Sequence, residues 1–176
     1  GAFPMADETG SINWYMPETR TIIPINNFNL PRSLKKILEK TDFEFRFDSD
    51  SIGVIKKCAD RESTWISNEL IEAYRGLQKL GNLHSVEVYQ KNVLIGGLYG
   101  VTYRSAFFGE SMFSKIPQAS KCALVKLLER LREKGFTLLD VQYQTDHLKM
   151  FGAKEISFQE FAELLLKSYQ KDISFN

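Results

Sequence analysis

Asp140 and Gln142 lie two residues apart in the run Thr137–Gln142, whose pattern predicts a β-strand. Side chains at that spacing project from one face of a strand, with Leu139 and Val141 turned the other way or into the core. A carboxylate beside a carboxamide can hold an amine through hydrogen bonds and fix its orientation. On spacing alone the commoner arrangement is a strand-end acid paired with a lysine. Glu110 follows Gly109 at the expected end of another strand. It could receive a cationic side chain or orient neighbouring groups, or it could be an acid at the N-terminus of the next helix, favoured by the helix dipole. Trp65 is a candidate stacking surface for a base, equally readable as a core residue. His84 and His147 are the only histidines, far apart and without an acidic cluster, so no metal site is expected.

The elements that must position these groups follow from periodicity. Residues 1–20 are rich in turn formers (Pro4, Gly10, Asn13, Pro17) and read as an irregular arm, with residues 21–176 forming the main domain. A short helix runs from Leu30-Pro31-Arg32 to Leu38. Phe43–Phe47 alternates as a half-buried strand, and helices are expected over Ser51–Ala59 and Asn68–Leu80, the second closed by Gly81. His84–Tyr89 and Val93–Tyr103 are strands joined by the turn Gln90-Lys91-Asn92. Gly96, Gly97 and Gly100 inside the second suggest a bulge or a close approach of backbone or ligand. Ala106-Phe107-Phe108 continues the sheet. Ala119–Lys134 is the clearest helix, with Ala123, Leu124, Leu127, Leu128 and Leu131 in one stripe and Gly135 as its end. Ser157-Phe158-Gln159-Glu160 is a capping box opening a helix through Tyr169. Helices leading into an antiparallel meander, then a long helix and a returning strand, argue an α+β fold with a mixed sheet.

Composition narrows the partners. The formal net charge is +1, so a nucleic-acid partner must be met by a local basic patch. Arg32, Lys35, Lys36, Lys56, Lys57 and Lys121 are the candidates for phosphate contacts, although each taken singly is more simply a solvated lysine or arginine. Cys58 and Cys122, the only cysteines, sit among apolar helical residues and suit a reducing compartment. No apolar run approaches membrane-spanning length and no signal segment is legible, so no membrane partner and a cytoplasmic location are expected.

Several stretches, in order and at consistent spacing, carry a resemblance. They are Gly1-Ala2-Phe3-Pro4, Trp14 to Pro17 with Arg20, Ser63-Thr64-Trp65-Ile66, His84 to Val88, and Gly96-Gly97-Leu98-Tyr99-Gly100-Val101. The most specific is Phe107-Phe108-Gly109-Glu110-Ser111-Met112-Phe113-Ser114, followed by Ala119-Ser120-Lys121, Leu139-Asp140-Val141-Gln142, His147 and Gly152-Ala153. Together they resemble the leucyl/phenylalanyl-tRNA–protein transferase family over nearly the whole chain. The resemblance implies an acetyltransferase-like (GNAT-like) fold with a mixed, mostly antiparallel sheet flanked by helices. It implies transfer of Leu or Phe, with Met a further option, from aminoacyl-tRNA to proteins beginning with Lys or Arg, which marks them for degradation. No cofactor is implied, and a monomer is expected.

The same resemblance assigns the central catalytic role to Asp140 and Gln142, with Glu110 beside them. Chemically, Asp140 suits an anchor and Gln142 the group that touches the amine. Gln142 is a poor base, so the proton acceptor is left between the ribose hydroxyl of the tRNA and water. Leu98, Phe107, Leu124, Leu127, Leu131 and Leu139 correspond to pocket-lining positions for the amino acid, with Met5 alongside, though a leucine stripe at helical spacing is also what a core looks like. Trp65, Ser120, Lys121, Arg32 and Lys36 are the expected adenosine and tRNA contacts. The chain departs from the family in Met5, where Trp is usual after Phe-Pro, in Leu127 and Leu131 where aromatic residues are usual, in Ser157-Phe158 and in Lys149-Met150. Residues 1–20 read as the remnant of a longer family N-terminal segment. On this reading Asp140→Ala leaves the fold intact but cuts transfer at least about tenfold.

Three rivals remain at this level. A coenzyme-A-dependent acetyltransferase needs a glycine-rich pyrophosphate cradle before the long helix, but Lys115-Ile116-Pro117-Gln118-Ala119-Ser120 has no glycine and a proline that removes a donor. An aminoacyltransferase of peptidoglycan bridges would use the same donor, usually with a helical arm that is not legible here. A non-catalytic relic that binds tRNA or protein N-termini is the third.

Overall fold

The computed structural model describes residues 2–62 and 64–176. Gly1 and Ser63, which belong to two of the matched stretches, lie outside the described residues. In chain order the elements are β1 (Phe3–Ala6), β2 (Ile12–Tyr15), β3 (Thr19–Ile22), α1 (Arg32–Lys40), β4 (Glu44–Phe47), α2 (Ser51–Ala59), α3 (Asn68–Lys79) and β5 (Leu83–Gln90). They continue with β6 (Val93–Tyr103), β7 (Ala106–Ser114), α4 (Ala119–Lys134), β8 (Leu138–Gln142), α5 (Asp146–Lys149), β9 (Lys154–Ser157) and α6 (Phe158–Ser168).

The main sheet has the order β4-β5-β6-β7-β8-β3-β9. Its pairings are antiparallel except between β7 and β8, which are joined by α4. This is the α+β arrangement expected from the sequence, a mixed and mostly antiparallel sheet flanked by helices. α4 lays Ala123, Leu124, Leu127, Leu128 and Leu131 against Val86, Val88, Leu98 and Leu139, with Leu34 of α1 in the same cluster. A second cluster joins Ile52, Val54 and Ile55 of α2 to Leu70, Ile71 and Tyr74 of α3 and to Tyr99 and Phe113 of the sheet. Leu98 and Tyr99 are neighbours on β6 but belong to different clusters, as strand alternation requires.

The caps are those the sequence spells out. Gly135 ends α4 at φ +81°, and the Ser157 hydroxyl accepts from the Glu160 N–H at the start of α6. The glycines of β6 are explained by close approach. A Cβ at Gly96 would lie 2.6 Å from that of Ala119, where α4 begins, and one at Gly100 would run into the Phe107 ring and the Phe108 carbonyl.

Two local expectations change. The stretch expected to be irregular contains an antiparallel hairpin, pairing Phe3 with Tyr15 and Met5 with Asn13. Its turn is organised by the Asp7 carboxylate, which accepts from the N–H groups of Thr9 and Ser11 and from the Asn13 side chain. Four-residue strands, one containing a proline, carry too little alternation to be read. Glu110 is also not at a strand end or a helix start, because β7 runs on to Ser114. Among the described residues, no helix is long and apolar enough to cross a membrane.

Candidate active site

The site is built where β7 and β8 part company. Their parallel ladder holds for three pairs, Ala106–Leu138, Phe107–Leu139 and Phe108–Asp140. Beyond these β7 stays paired with β6 alone. On β7 the register opposite β6 shifts there: Tyr99 faces Ser111 and Gly100 faces Gly109, which leaves Glu110 as the extra residue of a bulge. A bulge re-aims its side chain, and this one turns the carboxylate into the gap between the strands.

Gln142 closes the gap from the other side. It is the last residue of β8, yet its φ is +64°, and the Tyr143 N–H bonds back to the Val141 carbonyl at 2.8 Å. This is a γ-turn of the rarer, strained hand, centred on Gln142. The simple alternation that would put Asp140 and Gln142 on one face therefore breaks at Gln142. Its Nε2 donates to Glu110 Oε2 at 3.2 Å. Its backbone N–H donates to Asp140 Oδ1 at 2.9 Å.

Asp140 does not face solvent. It is fully buried and forms an ion pair with Arg20 of β3, itself 1% exposed. The Arg20 guanidinium also lies over the rings of Phe161, at 4.6 Å, and Phe3, at 5.0 Å. The partner is thus a buried arginine brought in from β3 rather than a surface lysine. Burial pushes the Asp140 carboxyl above its ordinary value, against the pull of Arg20. Burial likewise pushes Glu110 up to about 7, opposed by its bond from Gln142 and assisted by the charge of Asp140.

Two cavities meet at this pair. The first, of about 350 Å³, has an apolar interior of Leu98, Leu124, Leu127, Leu139 and Val141, with Met5, Trp65 and Tyr143 near its mouth. The second, of about 370 Å³, is walled by Phe3, Pro4, Trp14, Leu70, Tyr74, Phe108 and Tyr169, with Arg20 behind them. Glu110 and Gln142 line both. The hairpin β1–β2 contributes Met5 to one and Trp14 to the other. It is tied down by a 3.0 Å bond from the Ala6 N–H to the Trp65 carbonyl.

Of the residues expected to line an amino-acid pocket, Met5, Leu98, Leu124, Leu127 and Leu139 border the first cavity. Phe107 and Leu131 do not. Both are fully buried in the main core, Phe107 with its ring centroid 5.8 Å from that of Phe175. Leu131 lies a full turn beyond Leu127 along α4, past the level at which the strands separate. Trp65 borders the first cavity, and Ser120 and Lys121 border a groove beside it. Arg32 and Lys36 stand apart on α1, Lys36 against a shallow surface groove with Lys40 and Thr41. Sequence reasoning named Arg20 among the matched residues but gave it no role in the site, since its position in a short strand gave no sign of a buried charge. It also gave no role to Tyr74 and Tyr99, buried beside Glu110, whose phenols are pushed up by burial and by the nearby carboxylate. His84 is structural: its Nδ1 lies 2.8 Å from Asp48 and its ring stacks on Phe175.

Comparison with known proteins shows the family. A family model described as leucyl/phenylalanyl-tRNA protein transferase matches residues 22–166. A protein of Rubrobacter xylanophilus named leucyl/phenylalanyl-tRNA–protein transferase is 47% identical, over 99% of this chain and 92% of its own length. One of the same name from Herpetosiphon aurantiacus is 48% identical over the same shares. Among solved structures, a conserved protein of unknown function from Staphylococcus epidermidis superposes with a TM-score of 0.51 at 11% identity, covering 79% of this chain and 57% of that one, a likeness of fold alone.

Proposed function

The chain belongs to the leucyl/phenylalanyl-tRNA–protein transferase family, and we propose on that basis that it moves an aminoacyl group from the 3′-adenosine of tRNA to the N-terminal amine of an acceptor protein. The observation that carries the reading is the meeting of two cavities at Glu110 and Gln142. A bimolecular transfer needs two binding spaces with one shared wall, where the reacting atoms come together.

In this reading the aminoacyl side chain occupies the cavity of Leu98, Leu124, Leu127 and Leu139, with the terminal adenine against Trp65. Leu and Phe are the donors it suits, with Met a further one, since apolar walls distinguish such side chains weakly. Met5, unbranched and polarisable, softens that wall further. The acceptor enters the second cavity. Its walls of Phe3, Trp14 and Tyr169 suit the long stem of an N-terminal Lys or Arg.

The chemistry is aminolysis of an ester: a C–N bond forms, the ester C–O bond breaks, and the 3′-hydroxyl leaves. An ionised Glu110 only accepts, so it engages the Gln142 NH₂ and leaves Gln142 Oε1 for an N–H of the attacking amine. With its carboxyl raised to about 7, Glu110 is matched to take up the proton of the attacking ammonium near neutral pH. Asp140 acts through Gln142, whose backbone it holds, with Arg20 balancing its charge. One chain supplies both cavities, which supports a monomer. The need for charged tRNA supports a cytoplasmic setting. The product exchanges a basic N-terminal residue for a bulky apolar one, a change suited to marking proteins for degradation.

The test is a transfer assay. The protein is mixed with leucyl- or phenylalanyl-tRNA and a peptide beginning with Arg or Lys, and the peptide is weighed by mass spectrometry. Addition of one Leu or Phe is expected. Binding of tRNA without addition would instead favour a relic that has lost the reaction.

A further inference from the structure

A groove leaves the mouth of the apolar cavity at Met112 and His147, which border both. It continues in two overlapping parts of about 430 and 460 Å³, past the start of α4 and along the end of α2. Lys57, Arg61, Lys115 and Lys121 line it, and among the described residues the single carboxylate on its walls is that of Asp60. Asp60 lies 3.8 Å from Lys57 on an exposed surface, a separation at which an ion pair holds little charge back. Arg61 stands at the junction, borders the apolar cavity as well, and donates to the Met112 carbonyl. In a chain whose formal net charge is +1, four cations facing one groove against a single acid is a concentrated field.

We propose that this groove carries the single-stranded 3′ end of the donor RNA, its phosphates against Lys57, Arg61, Lys115 and Lys121. The inference rests on the proposed function and adds the path of the strand. With the terminal adenosine at Trp65 and the aminoacyl group in the apolar cavity, the nucleotides on the 5′ side must leave through the cavity mouth. The groove is the basic channel that opens there. Arg32 and Lys36 on α1 border neither the cavity nor the groove.

The test compares a ligand with phosphates to one without. Binding of a fluorescent single-stranded RNA ending in CCA is measured across salt concentrations for the wild type and for Lys57→Gln/Lys115→Gln. Binding of a non-hydrolysable aminoacyl-adenosine, which has no phosphate, is measured beside it. Counterion release predicts that the slope of log affinity on log salt flattens by roughly 0.7 per lost phosphate contact, about 1.4 for the pair, with affinity falling about tenfold at low salt. Aminoacyl-adenosine affinity is expected to be the same in both proteins. An unchanged slope, or an equal loss for both ligands, overturns the path. If RNA binding shows the flattened slope but no peptide is extended, the path stands and the transfer reading fails. If peptide is extended while the slope is unchanged, the reverse holds.

Discussion

Gln142 Nε2 and Glu110 Oε2 lie 3.2 Å apart across the gap between two parallel strands that have ceased to pair. One side chain arrives by a bulge and the other by a γ-turn, so two local irregularities of the sheet meet at one hydrogen bond. Strained or unpaired backbone persists where the surroundings over-determine it, and here both irregularities face the two cavities.

The strain at Gln142 reverses an ordinary rule. At φ +64° a Cβ is a burden, so Gln142→Gly should be about 1 kcal/mol more stable than Gln142→Ala in urea unfolding, the opposite of their usual order in a strand. Both variants should lose transfer by at least about tenfold, because neither can hold Glu110 or the amine. Equal stabilities would show that the turn is unstrained.

The buried pair alters what Asp140→Ala is expected to do. Sequence alone predicts an intact fold, but removing the carboxylate breaks a buried ion pair, a loss of about 3–5 kcal/mol. Removing both charges, as in Arg20→Met/Asp140→Leu, should recover most of that stability in thermal melts without restoring transfer. A double variant as unstable as the single one would mean that the charge is not what Asp140 satisfies.

Glu110 links pH to both stability and rate. Its folded value of about 7 lies above the ordinary 4.5, so the native state holds a proton that the unfolded chain releases. Its contribution to stability is complete below about 4.5 and is lost as pH rises through about 7, by an amount on the order of 1–3 kcal/mol. Glu110→Gln should therefore be more stable than the wild type at pH 8 and nearly equal to it at pH 4. Its kcat/KM should lose the limb near pH 7 and retain the one set by the acceptor's own amine, near 8. A limb near 7 that survives the substitution would assign the proton to another group.

Cavity and core should separate by specificity. Leu127→Ala enlarges the first cavity and should shift the Phe-to-Leu transfer ratio towards Phe by about 1–3 kcal/mol, or tenfold and more, in competition assays. Phe107→Ala should cost about 3–5 kcal/mol of stability with the ratio little changed, since Phe107 packs in the core. A shift in ratio for Phe107→Ala alone would return it to the pocket.

These residues also mark how far the sequence could be read. The leucine stripe and Gly135 fix α4, the Ser157–Glu160 box opens α6, and the glycines of β6 announce a bulge or a close approach, which at Gly96 is that of α4, because each is written in local chemistry. The roles of Leu98, Leu124 and Leu127 were open, since a stripe that lines a cavity and one that fills a core have the same spacing. What remained hidden is non-local. The partner of Asp140 lies 120 positions earlier. The bulge at Glu110 exists only as a register between two strands, and the γ-turn at Gln142 is imposed on a residue with no preference for it. The hairpin over the site is held by Asp7 and Trp65 rather than by its own weak pattern.

The central claim is that donor and acceptor occupy separate cavities and meet at Glu110 and Gln142. It is tested most directly by a crystal structure with a non-hydrolysable aminoacyl-adenosine and an Arg-initiated peptide bound together. The account predicts the aminoacyl side chain among Leu98, Leu124 and Leu127, the peptide between Phe3 and Tyr169, and its amine within hydrogen-bond reach of Gln142 Oε1. A peptide amine bound away from Gln142, or both ligands competing for the same cavity, would contradict it.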